Sequence, residues 1–189
     1  KEAHAGVEPE KGINAMRVAA EALASIPNGR IDFETTTNMG VIHGGMATNI
    51  VPNLVEIHGE ARSHNMDKLA QVTNDIVNGF KQAAAKHKLG NIEARVEFDI
   101  NNEYKSFFMP DSHPVVSLAK QALSNLNIPA QFIKSGGGSD ANIINAEGVA
   151  MIVAGTGMHN YHTVDENILV SDLEKGALLV AELIAVYSA

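Results

Sequence analysis

Four side chains that can bind a metal or move a proton lie close together near the carboxyl end of the chain. His159, His162, Asp165 and Glu166 follow a short apolar run, Val149 to Ala154, and the glycines that end it. Such a run predicts a strand buried on both faces. Because open α/β sheets bind ligands at the carboxyl ends of their strands, the segment is a candidate metal or acid–base site. The alternative is a polar loop whose histidines cap backbone groups.

A glycine-rich loop, SGGGS from Ser135 to Ser139, is a second candidate site. Its glycines allow a ligand to approach the backbone closely, and the helix predicted to follow it offers free N–H groups to an anion. No Gly-Lys-Ser/Thr follows, so it is not a phosphate loop. The alternative is a flexible turn.

Three further polar residues are ordinary when each is considered alone. His4 lies between small residues before a helix, where a surface histidine is common, and Asn49 lies in a glycine-rich turn, where asparagine usually has a backbone role. Arg62 lies at the end of a predicted strand. An arginine there is either an ion-pair partner or a guanidinium that binds a substrate carboxylate through two hydrogen bonds.

The composition limits the classes of partner. The 189 residues carry a net charge of −8, which argues against nucleic acid and anionic membrane as partners. No apolar run approaches a membrane span. There is no cysteine, so any metal must be held by His, Asp or Glu, and the composition fits a reducing cytoplasm. The chain begins at Lys1 in what resembles the end of a strand, so we expect it to be a piece of a longer protein.

The hydrophobic pattern of the first half predicts a ferredoxin-like βαββαβ unit over residues 1–108. A strand ending before Ala3 would come first. The elements after it are predicted as a helix at Pro9–Ile26, strands at Ile31–Ile42 and Ile50–Arg62, a helix at Asn65–His87 and a strand at Ile92–Ile100.

Residues 109–189 show strand–helix alternation and are predicted to be part of an α/β domain, which makes the whole chain α+β. The predicted elements are helices at Pro114–Leu126, Asp140–Ala146 and Asp172–Tyr187, the last with a capping box of Ser171 and Glu174, and strands at Gln131–Lys134 and Val149–Ala154. Two strands do not make a sheet that stands alone.

Taken together, four segments resemble one enzyme family in content and order. They are KEAHAGVEPEKGINA, GGMATNIVPNLVEIHGEAR, GGGSDAN and HNYHTVDE. The family is that of the co-catalytic zinc peptidases, which includes aminoacylase, carboxypeptidase G, succinyl-diaminopimelate desuccinylase and peptidase T. The resemblance is greatest to the peptidase T-like branch, and it covers nearly the whole chain.

The resemblance implies a fold and a role for each motif. Residues 1–108 would be a lid domain that forms a homodimer, and residues 109–189 the carboxyl-terminal portion of a catalytic domain that holds two zinc ions per full-length subunit. By motif, His162 falls on a zinc ligand and His4 on the lid histidine that stabilises the oxyanion. The substrate would be held by Asn49, Arg62, Gly137, Gly138 and Ser139. His159 matches no fixed role.

One departure from the family pattern matters. In the family, the other zinc ligands and the general base lie upstream of the lid. They include an H-x-D, a bridging Asp and a Glu-Glu pair. This chain has no Glu-Glu and no fitting H-x-D. We therefore expect the 189 residues alone to be inactive. For the parent protein, the resemblance implies hydrolysis of short peptides. The alternatives are an amidohydrolase of N-acyl amino acids and a non-catalytic dimerisation or binding module.

Overall fold

A computed structural model describes all residues, Lys1–Ala189, and divides them into two compact units. Unit 1 is Lys1–Asn102 and unit 2 is Glu103–Ala189, whereas the sequence placed the boundary at residue 108. Helices and small antiparallel sheets are both present, so the α+β class is confirmed. None of the helices combines the length and apolar composition of a membrane span.

The centre of unit 1 has the two predicted helices with the two predicted strands between them, and one short strand that was not predicted. Its helices are α1 (Ala15–Ser25) and α2 (Met66–Ala85), and its three-stranded antiparallel sheet has the order β1 (Gly29–Arg30), β2 (Thr35–Gly44) and β3 (Val55–Ser63). Thr35 and Thr37 of β2 are buried, while their opposite-facing neighbours are more exposed. Because strand side chains alternate between faces, one face of the sheet is buried and the other is more exposed.

The first helix is shorter than predicted because Gly12 interrupts it. Pro9–Lys11 form one 3₁₀ turn, Gly12 is extended, and α1 begins only after Asn14, whose side-chain oxygen accepts a bond from the Arg17 N–H at 3.1 Å. A Cβ on Gly12 would stand 2.9 Å from Val51 Cγ1. The chain therefore passes close to Val51 at this point instead of continuing as a helix.

The strand predicted from Ile31 begins instead at Thr35, because the residues before it bind α2. Lys68 Nζ lies 2.8 Å from carboxylate oxygens of both Asp32 and Glu34, and it stands over the Phe33 ring. The hydrogen bond from Lys68, followed by one from the Glu34 backbone N–H, lowers the pKa of Asp32 to about 2. This partly buried ion cluster joins the loop between β1 and β2 to the helix.

The strand predicted at Ile92–Ile100 is reduced to two residues. β5 (Ile92–Glu93) pairs with β4 (Lys88–Leu89), and the backbone after it makes no ladder. Its apolar alternation still has a consequence, because Ala94 and Val96 pack against the core formed by Ile13, Val18, Ala22, Ala83 and Ala84. The predicted inward positions are confirmed for these two residues and wrong for Ile92, Phe98 and Ile100, which are exposed, and the predicted strand pairing is wrong beyond Glu93.

Gly79 of α2 packs against Ile26, the residue that follows α1. A Cβ built on Gly79 would overlap the Ile26 side chain, which is buried. The glycine thus permits a helix contact that no larger residue fits.

We expect Gly79→Ala to destabilise unit 1. The helix propensity gain of up to about 1 kcal/mol is offset by overpacking, which costs about 1–3 kcal/mol. The matched control is Gly176→Ala in α5 (Val170–Ser188), where the nearest atom to the new Cβ is 4.0 Å away, so the propensity gain of about 0.5–1 kcal/mol remains. Urea unfolding of the two variants checks this, and a Gly79→Ala midpoint above wild type would contradict it.

Unit 2 contains helices and no strand. Its helices are α3 (Pro114–Asn125), α4 (Asp140–Ala146) and α5, and α3 contacts α5 through a bond from Asn125 Nδ2 to Glu182 Oε1 of 2.6 Å. The capping box predicted from Ser171 and Glu174 is wrong, because α5 begins at Val170 and encloses both residues. The helix starts two residues earlier than predicted.

The strands predicted at Gln131–Lys134 and Val149–Ala154 are absent from unit 2. Both segments are irregular and largely exposed; Val153, expected to be buried, is 63% exposed. A strand needs a neighbouring backbone for its hydrogen bonds, and none is available here. The Asn145 side chain supplies part of the missing hydrogen bonding, because it binds the backbone N–H and C=O of Met151 at 3.0 and 2.8 Å.

Candidate functional site

His4 lies on a short antiparallel pairing inside unit 1. The Ala5 N–H donates to the Asn49 carbonyl and the Val51 N–H to the Ala3 carbonyl, each at 2.9 Å, so His4 stands directly opposite Ile50. This is the non-hydrogen-bonded type of antiparallel pair, in which the two side chains share a face and are closest. His4 and Ile50 are therefore side-chain neighbours.

The imidazole of His4 has a defined hydrogen-bonding state. Its Nδ1 accepts a bond from the Gly6 backbone N–H at 3.1 Å. A nitrogen that accepts has no proton, so the neutral ring carries its proton on Nε2. The ring is exposed, which leaves it positioned as a hydrogen-bond donor toward a ligand.

Asn49 is brought next to His4 by the same pairing. Its carbonyl receives the bond from Ala5, and its side chain is exposed in the turn that precedes Ile50. Residues 45 positions apart in the sequence thus form one polar edge of unit 1.

Arg62 lies at the far end of β3, away from His4. The His4 pairing adjoins Gly44, which pairs with Val55 at the start of β3, whereas Arg62 pairs with Thr36. Seven residues of strand separate Val55 from Arg62, which is roughly 23 Å at the usual rise. The structure therefore brings His4 and Asn49 together, but it does not bring Arg62 to them within one chain.

The guanidinium of Arg62 is held by Glu60. Nη2 of Arg62 lies 2.7 Å from Oε2 of Glu60, two residues earlier on the same face of β3. Glu60 did not emerge from the sequence analysis, although strand alternation was a signal that could have identified it.

The glycine loop is exposed and has one packing constraint. A Cβ on Gly138 would overlap the ring and hydroxyl of Tyr104, while Gly137 donates its N–H to Ser135 Oγ at 3.1 Å. Ser139 precedes α4 and donates its N–H to Asn142 Oδ1 at 3.0 Å. Contact with Tyr104 is a structural reason for a glycine at position 138, which the sequence alone did not reveal.

His162 occupies a strained turn. Its φ is +66°, a left-handed conformation that is uncommon for a residue other than glycine. Its N–H donates to the Glu166 carboxylate at 2.8 Å, and the turn is closed by mutual backbone bonds between His159 and Asn167 of 2.8 and 3.1 Å. The backbone thus fixes the direction of the exposed His162 side chain.

These residues do not make a complete metal site. No three His, Asp or Glu side chains converge anywhere in the chain, and the Glu166 carboxylate is engaged by the His162 backbone. A catalytic zinc takes three protein ligands. His162 is at most one of them.

Residues 1–88 match the model of a peptidase dimerisation domain. Among curated proteins, the chain is 40% identical to the uncharacterized protein YqjE of Bacillus subtilis, over 97% of this chain and 48% of that protein. It is 24% identical to an uncharacterized metallohydrolase of Methanocaldococcus jannaschii (97% and 49%) and 23% identical to peptidase T of Vibrio cholerae (95% and 43%). The chain spans about half the length of these relatives.

Two of the solved structures that match over the whole chain share more than 30% identity with it. One is the aminopeptidase PepT of Bacillus cereus, with 38% identity and a TM-score of 0.77. The other is a tripeptidase of Staphylococcus aureus, with 34% identity and a TM-score of 0.83. This chain covers 49% of each of those chains.

Proposed function

The chain belongs to the M20 family of peptidases, and from that premise we propose that the whole protein hydrolyses peptide bonds in short peptides. One observation carries the proposal. Two of the solved structures that match all 189 residues, both at more than 30% identity, are an aminopeptidase and a tripeptidase.

His4 is the residue that acts on the scissile carbonyl in this proposal. As the carbonyl oxygen gains negative charge, it needs a donor already in position. The bond from Gly6 to Nδ1 supports this role, because it directs the proton to Nε2 and holds the ring. Asn49, beside His4, binds the substrate backbone through its exposed amide.

Arg62 binds the substrate carboxylate, and a homodimer brings it into the site. A planar guanidinium matches a carboxylate with two parallel bonds. The roughly 23 Å of strand between the His4 end and Arg62 is longer than a short peptide needs, so one chain does not use both groups on one substrate. Two copies, paired through residues 1–108, place His4 of one copy near Arg62 of the other. The match to a peptidase dimerisation domain supports this pairing.

The remaining roles concern residues 109–189, the proposed catalytic portion. Gly137, Gly138 and Ser139 line the substrate pocket with exposed backbone. His162 is the single ligand that this chain contributes to a pair of zinc ions, and the other ligands come from outside the 189 residues. The similarity to a metallohydrolase supports metal dependence, and the absence of cysteine supports a cytoplasmic location.

A substrate panel on the full-length protein tests the proposed function. We expect hydrolysis of tripeptides with a free amino terminus and little hydrolysis of N-acyl amino acids. The matched control is the same tripeptide with its amino terminus acetylated. Turnover of N-acyl amino acids alone would assign the protein to the deacylases, and no turnover of any substrate would favour a binding module.

A further inference from the structure

A cavity of about 460 Å³ opens on unit 1 beside the His4 pairing. It lies between the amino-terminal segment, the start of α1 and the turn after β2. Its lining includes Ala5, Met16, Met46, Thr48, Ile50 and Val51. The volume is within the range of small-molecule sites. No charged side chain contributes to the lining, whose polar side chains are those of Asn14 and Thr48.

The cavity adjoins the proposed oxyanion donor. Ile50 lines it, and Ile50 is the residue directly opposite His4 in the antiparallel pair. Ala5, the next residue after His4, lines it as well. A peptide whose carbonyl oxygen accepts a hydrogen bond from His4 would therefore have one of its own side chains next to Ile50 and the cavity.

One wall of the cavity depends on a glycine. Gly45 has φ +79°, and a Cβ there would stand 2.7 Å from Met16 Cε, so Met16 lies flat on the Gly45 backbone. Met46, at the rim, is 83% exposed. Methionine is unbranched and polarizable and adapts to apolar groups of different shape. Two methionines on a wall and rim without charge are suited to apolar side chains of several shapes.

We propose that this cavity is a specificity site that accepts an apolar side chain of the peptide substrate, such as that of leucine, methionine or phenylalanine. The assignment rests on the proposed peptide hydrolysis. It follows from the lining, because a charged substrate side chain would lose its hydration there without a partner. An apolar side chain would cover Met46 and Ile50, and the removal of apolar surface from water would favour its binding.

The test uses the full-length protein and three tripeptides that differ at a single residue, which is glycine, leucine or lysine. The variant is Met46→Glu, which places a carboxylate at the rim of the cavity where a surface side chain is tolerated. We expect kcat/KM for the leucine peptide to fall about tenfold, the scale of apolar discrimination in a pocket. The lysine peptide should improve, and the glycine peptide should stay within about twofold, since it places nothing in the cavity.

The control variant is Met66→Glu, at an exposed methionine in the first turn of α2 and outside the cavity. It should leave the ranking of all three peptides unchanged. Equal loss for all three peptides in Met46→Glu would overturn the specificity site while the proposed function stands. Dissociation of a wild-type dimer by Met46→Glu would also overturn it and assign the cavity to a second copy of the chain. If wild-type protein cleaves none of the peptides, the proposed function fails, and the specificity site fails with it.

Discussion

His4→Ala in the full-length protein is expected to lower kcat by about 10²- to 10³-fold, with a much smaller change in KM. A donor directed at the carbonyl oxygen contributes mainly when that oxygen carries charge, so its loss affects the transition state more than the bound substrate. The bond from Gly6 to Nδ1 fixes the proton on Nε2, which is the state this role requires. Steady-state kinetics with the best tripeptide measures the effect.

The control for His4 is His43→Ala, an exposed histidine on β2 of the same unit. It should keep wild-type kcat. Metal content should be unchanged in both variants, because His4 is not proposed as a ligand. A His4→Ala enzyme that loses metal, or whose kcat is within about threefold of wild type, a small part of the usual oxyanion-donor effect, would show that the donor role is wrong.

His162→Asn is expected to lower both the metal content and the activity of the full-length protein. Asparagine tolerates the left-handed backbone of position 162 better than alanine, so the turn is retained while the imidazole is removed. Loss of a proposed ligand should weaken metal binding at least about tenfold, since even outer-shell changes have that effect. Metal analysis of the purified variant after dialysis measures the loss.

His159→Asn provides the comparison for His162. His159 lies in the same turn, and its backbone bonds to Asn167 do not involve the side chain. The variant should retain metal and most activity. If His159→Asn and His162→Asn lose metal equally, the metal loss reflects damage to the turn, and the assignment of His162 as a metal ligand is wrong.

The helices could be predicted from the sequence because their signals are local. α4 has the predicted bounds, and α2 is shorter than predicted by one residue at its start and two at its end, since an apolar stripe and an asparagine cap define it. Strands depend on a partner elsewhere in the chain. Val149 to Ala154 has the composition of a buried strand, yet no neighbouring strand exists in unit 2, and the segment is irregular. Gly12 interrupts the predicted first helix near its start for a similar reason, the contact with the distant Val51.

The candidate site was predicted in its residue types and only partly in its geometry. The pairing of Ala3–Ala5 with Asn49–Val51 joins distant parts of the sequence, so periodicity gave no indication that His4 and Asn49 are neighbours. The distance to Arg62 likewise depends on the register of β2 and β3. The cavity beside Met16 and Met46 arises from three segments, and no local pattern marks it.

We propose that these 189 residues hold one part of a peptidase site and that catalysis needs the rest of the protein. The most direct measurement compares the isolated chain with the full-length protein at equal molar concentration, with added zinc, on a tripeptide. We expect chelator-sensitive turnover by the full-length protein and none by the isolated chain. Chelator-sensitive turnover by the isolated chain, with tight stoichiometric zinc, would contradict it.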